Sequence, residues 1–253
     1  MVDYELQGHV GVLTLNRPEA RNAVNGDVAN GMEAAIDQLE ENDEAWVGIL
    51  THVGPVFSAG ADLKAINAGK AGELQTSRGG FAGLVQRKRT KPLIAAIDGP
   101  ALAGGCEIAL ACDVIVASTQ SRFGVPEVKR SLVAAAGALF RLPRALPRNV
   151  ALEMIMTGDP ISAERAYHFG LVNDLCEPGE AFNRAMVMAE RIAVNAPLAV
   201  RKSRELSLFT VDADDETGFR LSGESMIELS KTEDFWEGPK AFIEKRDPVW
   251  KGR

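Results

Sequence analysis

Cysteine and histidine are scarce in this chain of 253 residues, with three of each. Cys106, Cys112 and Cys176 form neither a close pair nor an even set, which excludes a disulfide framework and a thiolate metal site; buried reduced thiols are the reading. His9, His52 and His168 are scattered without an i,i+4 pair, so no metal site is expected. No apolar run approaches the roughly 18 residues of a membrane-spanning helix. The opening Met1-Val2-Asp3-Tyr4-Glu5 is acidic where a secretory signal would be basic. A soluble, cytoplasmic protein without a membrane partner is expected. Basic blocks are missing as well: the net charge is -7, and Lys and Arg are spread along the chain. Nothing offers a sustained phosphate-tracking surface, so nucleic acid is not an expected partner. Aromatic residues make up only 6%, with Trp46, Trp236 and Trp250 and Tyr4 and Tyr167 far apart in sequence.

Apolar residues, by contrast, make up 46% of the chain, ample material for a core. Val10 to Leu15 reads as a strand closed by the turn Asn16-Arg17-Pro18-Glu19. From Asn25 the residues Val28, Met32, Ala35, Ile36 and Leu39 recur at helical spacing. Trp46 to Thr51 is a second strand, Leu93 to Ile97 a third and Val114 to Ala117 a fourth, with a helix over Glu107 to Ala111 between the last two. This alternation predicts an α/β core of stacked, similar units. Beyond about Arg141 the periodicity turns helical, over Val150 to Thr157, Ser162 to His168, Glu180 to Val194 and Pro197 to Leu208. The polar, Gly-rich stretch from Gly69 to Gly80 reads as a mobile loop.

Three segments carry chemistry. Ser58-Ala59-Gly60-Ala61-Asp62 is a loop of small residues, and Glu107 and Glu127 follow turns marked by Gly104-Gly105 and Pro126. Two carboxylates can divide acid and base roles, and backbone N–H groups exposed among minimal side chains can hold a developing oxyanion. Each piece alone has an ordinary reading: a helix-opening turn, a loop with Asp62 as N-cap, or a glutamate favoured by a helix dipole. Together they describe a site for reaction beside an activated carbonyl.

The chain resembles the crotonase, or enoyl-CoA hydratase/isomerase, superfamily over nearly its whole length. The resemblance rests on Leu15-Asn16-Arg17-Pro18, Arg21-Asn22-Ala23, Phe57 to Lys64, Asp98 to Glu107, Arg122 to Glu127, Arg141-Leu142-Pro143 and the stretch from Thr157-Gly158 to Gly170-Leu171-Val172-Asn173, in that order. It implies a spiral of ββα units over residues 1–195 and a helical trimerisation region over 196–253, assembled as a homotrimer or a dimer of trimers. It implies an acyl-CoA thioester substrate, with coenzyme A part of the substrate and no separate cofactor. It implies that the N–H groups of Ala61 and Gly104 grip the thioester oxygen and that Glu107 and Glu127 form the hydratase pair. Arg21, Ala59, Asp62, Leu63 and Lys64 match positions along the coenzyme A path, and Asp62 also has the capping role.

The implied activity is addition of water to a trans-2-enoyl-CoA, with carnitinyl-CoA dehydratase, Δ3-Δ2 isomerase and non-catalytic acyl-CoA binding as alternatives. The tail from Glu237 to Arg253, and Phe81-Ala82-Gly83-Leu84, are most similar to the carnitinyl-CoA dehydratase branch. Two departures concern the acyl pocket: Ala103 stands where many hydratases have a first glycine, and Ala134-Ala135-Ala136 replaces a Gly-rich turn.

Overall fold

The computed structural model describes residues 1–253. Its strands are β1 (Val2–Gln7), β2 (Val10–Leu15), β3 (Val47–His52), β4 (Gln75–Thr76), β5 (Gly80–Phe81), β6 (Leu93–Ile97), β7 (Pro100–Leu102), β8 (Val114–Ser118), β9 (Arg122–Gly124), β10 (Ile161–Ser162) and β11 (Asp174–Cys176). The helices are α1 (Gly26–Glu41), α2 (Leu63–Asn67), α3 (Gly104–Leu110), α4 (Ala138–Ala145) and α5 (Arg148–Thr157). They continue as α6 (Ala163–His168), α7 (Ala181–Ala193), α8 (Pro197–Phe209), α9 (Asp215–Leu229) and α10 (Glu233–Glu244).

The main sheet runs β1-β2-β3-β6-β8-β11, antiparallel at β1 and parallel elsewhere. Parallel strands bury both faces, and period-2 alternation sorts their side chains between two apolar layers. Leu13, Leu15, Leu50, Leu93 and Ala95 point into the larger core with α1, whereas Val10, Val12, Ile49, Ile94 and Val116 meet Ala185 and Ala189 of α7. A second layer, β10-β9-β7, is extended by the parallel bridges Ser58↔Ala101 and Val24↔Ala61. Each turn of the chain therefore makes a strand in the main sheet, a short strand or bridge in the second layer, and a helix. This is the α/β spiral of ββα units expected from the sequence, and it stacks the second-layer segments, which carry the candidate site residues, side by side.

Several boundaries differ from the sequence reading. β1 was missed, although Val2, Tyr4 and Leu6 face inward and alternate with exposed Asp3, Glu5 and Gln7. α3 begins at Gly104, three residues before Glu107, because glycines of low helix propensity can still form an opening turn held by Ala103 O. The stretch read as a mobile loop is anchored: Ala71–Leu74 is a 3-10 turn, β4 pairs with β5, and Arg78 binds Glu33 and Asp37 on α1. Those acidic partners lie about 40 residues upstream on a helix, so local composition carried no sign of them. At the other end, Trp250 Nε1 donates to Val194 O at 2.8 Å, and Arg204 of α8 pairs with Asp113 at 2.8 Å.

Candidate active site

The small-residue loop is fastened from residues 21–24. Ala59 N donates to Arg21 O, Val24 N to Gly60 O and Asp62 N to Val24 O, while Ser58 Oγ donates to Asn22 O and accepts Gly60 N–H. Asn22 is itself buried, donating to the carbonyls of Val53 and Val56. In the parallel bridge Val24↔Ala61, the bonds to Val24 come from Gly60 and Asp62, so the N–H of Ala61 points to the other side and donates to no protein group. Asp62 is engaged at every polar atom. Its N–H is bound to Val24, its C=O accepts Ile66 N–H, Oδ1 caps α2 at Lys64 N and Ala65 N, and Oδ2 takes Arg17 Nη1 at 2.7 Å. Burial works to raise its carboxyl, but Arg17 and the two cap donors hold it below the usual range.

Against this loop lies the start of α3. Leu102 N donates to Ser58 O, and Ala103 N to Gly124 O, after which Gly104 N has no protein acceptor. The two loops touch: a Cβ on Gly60, whose φ is +84°, would stand 2.6 Å from Gly104 N, and one on Gly105 would collide with Ser58 O. Ala103 adopts φ 52° and ψ -128°, a conformation suited to glycine. The Phe81 ring covers Gly104, with ring carbons 2.5 Å from where its Cβ would be. Two unpaired N–H donors, from Ala61 and Gly104, thus lie on contacting loops beside an aromatic wall.

Glu107, in the first turn of α3, is 3% exposed. Its Oε1 accepts Ala138 N–H at 3.2 Å, so it caps α4, whose own N-cap residue Gly137 supplies no side-chain bond. Burial pushes its carboxyl up to about 7; the Ala138 N–H opposes this, and the charge of Glu127 adds to it. Glu127, in the 3-10 turn Pro126–Arg130, is raised too, again mainly by burial, and its Oε2 is buried without a hydrogen-bond partner. Both carboxyls also bear on Cys106, whose thiol burial holds well above its ordinary range. The two glutamates are therefore brought near enough for their charges to interact, Glu107 buried and Glu127 half-buried.

The remaining site candidates lie outside this centre. Arg21, Leu63 and Lys64 are exposed and Ala59 is half-buried, on the rim of the loop that holds Ala61. No group of three His, Cys, Asp or Glu side chains is placed to hold a metal ion, and no helix is long and apolar enough to cross a membrane. An open groove of about 450 Å³ lined by Thr119, Leu175, Cys176, Glu177, Glu180 and Arg184 is carried by other elements and shares no residue with the carboxylate site. Sequence reasoning missed the parts played by Asn22, Ala138 and Arg141. Asn22 and Arg141 stand in the quoted motifs, but their partners are main-chain carbonyls distant in sequence, which no motif displays.

Comparison with known proteins identifies the family. The family model for enoyl-CoA hydratase/isomerase matches residues 5–253. A carnitinyl-CoA dehydratase of Salmonella enteritidis is 39% identical over 252 residues, covering 97% of this chain and 96% of its own length. The crystal structure of an enoyl-CoA hydratase from Mycobacterium tuberculosis superposes with a TM-score of 0.96 at 43% identity, covering 100% of this chain and 99% of the other. That of a carnitinyl-CoA hydratase from Mycobacterium avium gives 0.78, also at 43% identity, covering 100% and 98%. With a family match over nearly its full length and relatives well above 30% identity across it, the chain belongs to the enoyl-CoA hydratase/isomerase family.

Proposed function

We propose that this protein is an enoyl-CoA hydratase that adds water, syn, across the C2=C3 bond of a trans-2-enoyl-CoA to give the 3-hydroxyacyl-CoA. The observation that carries the reading is the pair of carboxyls, both raised mainly by burial, beside two unpaired backbone N–H groups. Attack at C3 puts negative charge on the thioester oxygen. Fixed donors from Ala61 and Gly104 meet it there, each contributing about 3–4 kcal/mol to the transition state.

The roles of the two glutamates follow the family resemblance. Glu107, its carboxyl oriented by the Ala138 N–H, takes the proton from the water that attacks C3. Glu127, its carboxyl raised mainly by burial, delivers the proton to C2. After one turnover Glu107 holds a proton and Glu127 has lost one, and transfer between them through a water resets the pair. Dehydration is the same path reversed. Coenzyme A enters as part of the substrate, and no metal or separate cofactor takes part. Exposed Arg21 and Lys64 face its phosphates, and Ala59 and Leu63 border the pantetheine. Asp62, with no polar atom to spare, fixes Ala61 instead.

A second substrate, crotonobetainyl-CoA, is favoured by the name of the 39% identical relatives. The test is loss of the conjugated-thioester absorbance with short trans-2-enoyl-CoA and with crotonobetainyl-CoA, alongside Glu107→Gln and Glu127→Gln, with products weighed by mass spectrometry. Gain of one water by the enoyl thioester, reduced about 10²- to 10⁴-fold in both variants, is expected. Turnover of the betaine thioester alone moves the protein to the dehydratase reading. Activity surviving in Glu107→Gln, with double-bond migration and no added water, moves it to isomerase.

A further inference from the structure

Arg141, in the first turn of α4, sits where a cation is disfavoured by the helix dipole, and it is half-buried. Its place is explained by two carbonyls. Nη2 donates to Val85 O at 2.6 Å and Nη1 to Ala136 O at 3.2 Å, while its backbone N donates to Gly137 O at 3.0 Å. Val85 ends the segment whose Phe81 ring covers Gly104, and Val85 N donates to Phe81 O. Ala136 begins the turn that presents Ala138 N–H to Glu107. One planar guanidinium therefore ties the wall over an oxyanion donor to the turn that orients a carboxylate. A lysine, with its point charge, does not reproduce this fork.

We propose that Arg141 is a positioning residue for Glu107: it clamps the 136–138 turn against the 81–85 segment and places a positive charge that eases ionisation of the Glu107 carboxyl for water activation. The proposal rests on the base role given to Glu107 above. The charged and titratable groups around the pair are Glu127 from the 3-10 turn and Cys106 beside Glu107, together with Arg89, Arg144 and Cys112 around Arg141. Arg89 pairs with Asp113 at 3.2 Å, and Arg141 is the cation whose charge bears on Glu107.

The test compares Arg141→Met and Arg141→Lys with wild type. Three quantities are measured: the Glu107 carboxyl titration by pH-difference infrared spectroscopy, its band identified by loss in Glu107→Gln; kcat and KM for a short trans-2-enoyl-CoA; and the affinity for butyryl-CoA. In Arg141→Met the Glu107 band and the acid limb of kcat/KM should move to higher pH. Its kcat should fall on the order of tenfold or more while butyryl-CoA affinity holds. Arg141→Lys should return the titration toward wild type but not kcat. A folded Arg141→Met with an unmoved Glu107 titration overturns the electrostatic half of the proposal, and wild-type kcat in Arg141→Lys overturns the clamp. If Arg141→Met does not fold, the Lys variant decides: a Glu107 titration displaced from wild type despite the retained charge overturns the electrostatic half, and wild-type kcat overturns the clamp. Absence of hydration by the wild type itself would count against the proposed function, while the infrared titration would still read what Arg141 does to Glu107.

Discussion

Glu107 carries a stability cost that a glutamine would not. Its carboxyl lies at about 7 in the folded chain and near 4.3 when unfolded, so between those values the native state binds the extra proton. Stability contributed by this group is therefore present below about pH 4.5 and lost as pH rises toward 7. Glu107→Gln should be more stable than wild type at pH 8, by roughly 1–3 kcal/mol, and indistinguishable from it at pH 4.5. Urea unfolding at the two pH values checks this; an equal difference at both would mean that the charge is not what costs. Glu107 and Glu127 were legible as a pair through the family resemblance, since both stand in the motifs that carry it. Arg141 was not, since what gives it a role is a carbonyl 56 residues away.

Loop 58–62 and the first turn of α3 act as one element of the site, because neither holds its free N–H without the other's backbone against it. Gly60→Ala would need a side chain at φ +84° and a Cβ 2.6 Å from Gly104 N, pushing the two donors apart. Its kcat should drop about 10²-fold, the cost of a displaced oxyanion donor, with butyryl-CoA binding retained; steady-state kinetics with a binding titration decides. Ala103 shows the opposite. It holds a glycine-type conformation, so Ala103→Gly should relieve strain and raise stability by about 1 kcal/mol, read from the urea midpoint. Sequence marked both loops through their small residues, and most helices through periodicity and start signals such as the Ser162 cap and Pro197 in the first turn of α8. It missed β1 and the anchoring of residues 69–80, whose partners are supplied by other elements.

At the scale of the molecule, α9, α10 and the tail expose Phe219, Trp236, Phe242, Ile243 and Val249, with Phe242 86% open and Phe219 80%. Side chains of that size on one helical region are costly to leave in water and fit burial between copies of the chain. The family resemblance implies a homotrimer or dimer of trimers, for which light scattering after size exclusion should give three or six times 27.1 kDa. A single-copy mass at micromolar concentration would contradict it. Double substitution of Phe219 and Phe242 by serine should shift the mass toward the single chain. What the sequence by itself determined is the strand-helix alternation of the core and the helical C-terminal third, and it supplied the candidate residues of the site, because periodicity, turn chemistry and motif spacing are local properties. Tertiary structure alone decided which N–H groups are left free, why Glu107 and Glu127 titrate high and what Arg141 holds. Those depend on burial and on main-chain atoms brought together by the stacking of the turns, which no stretch of sequence contains.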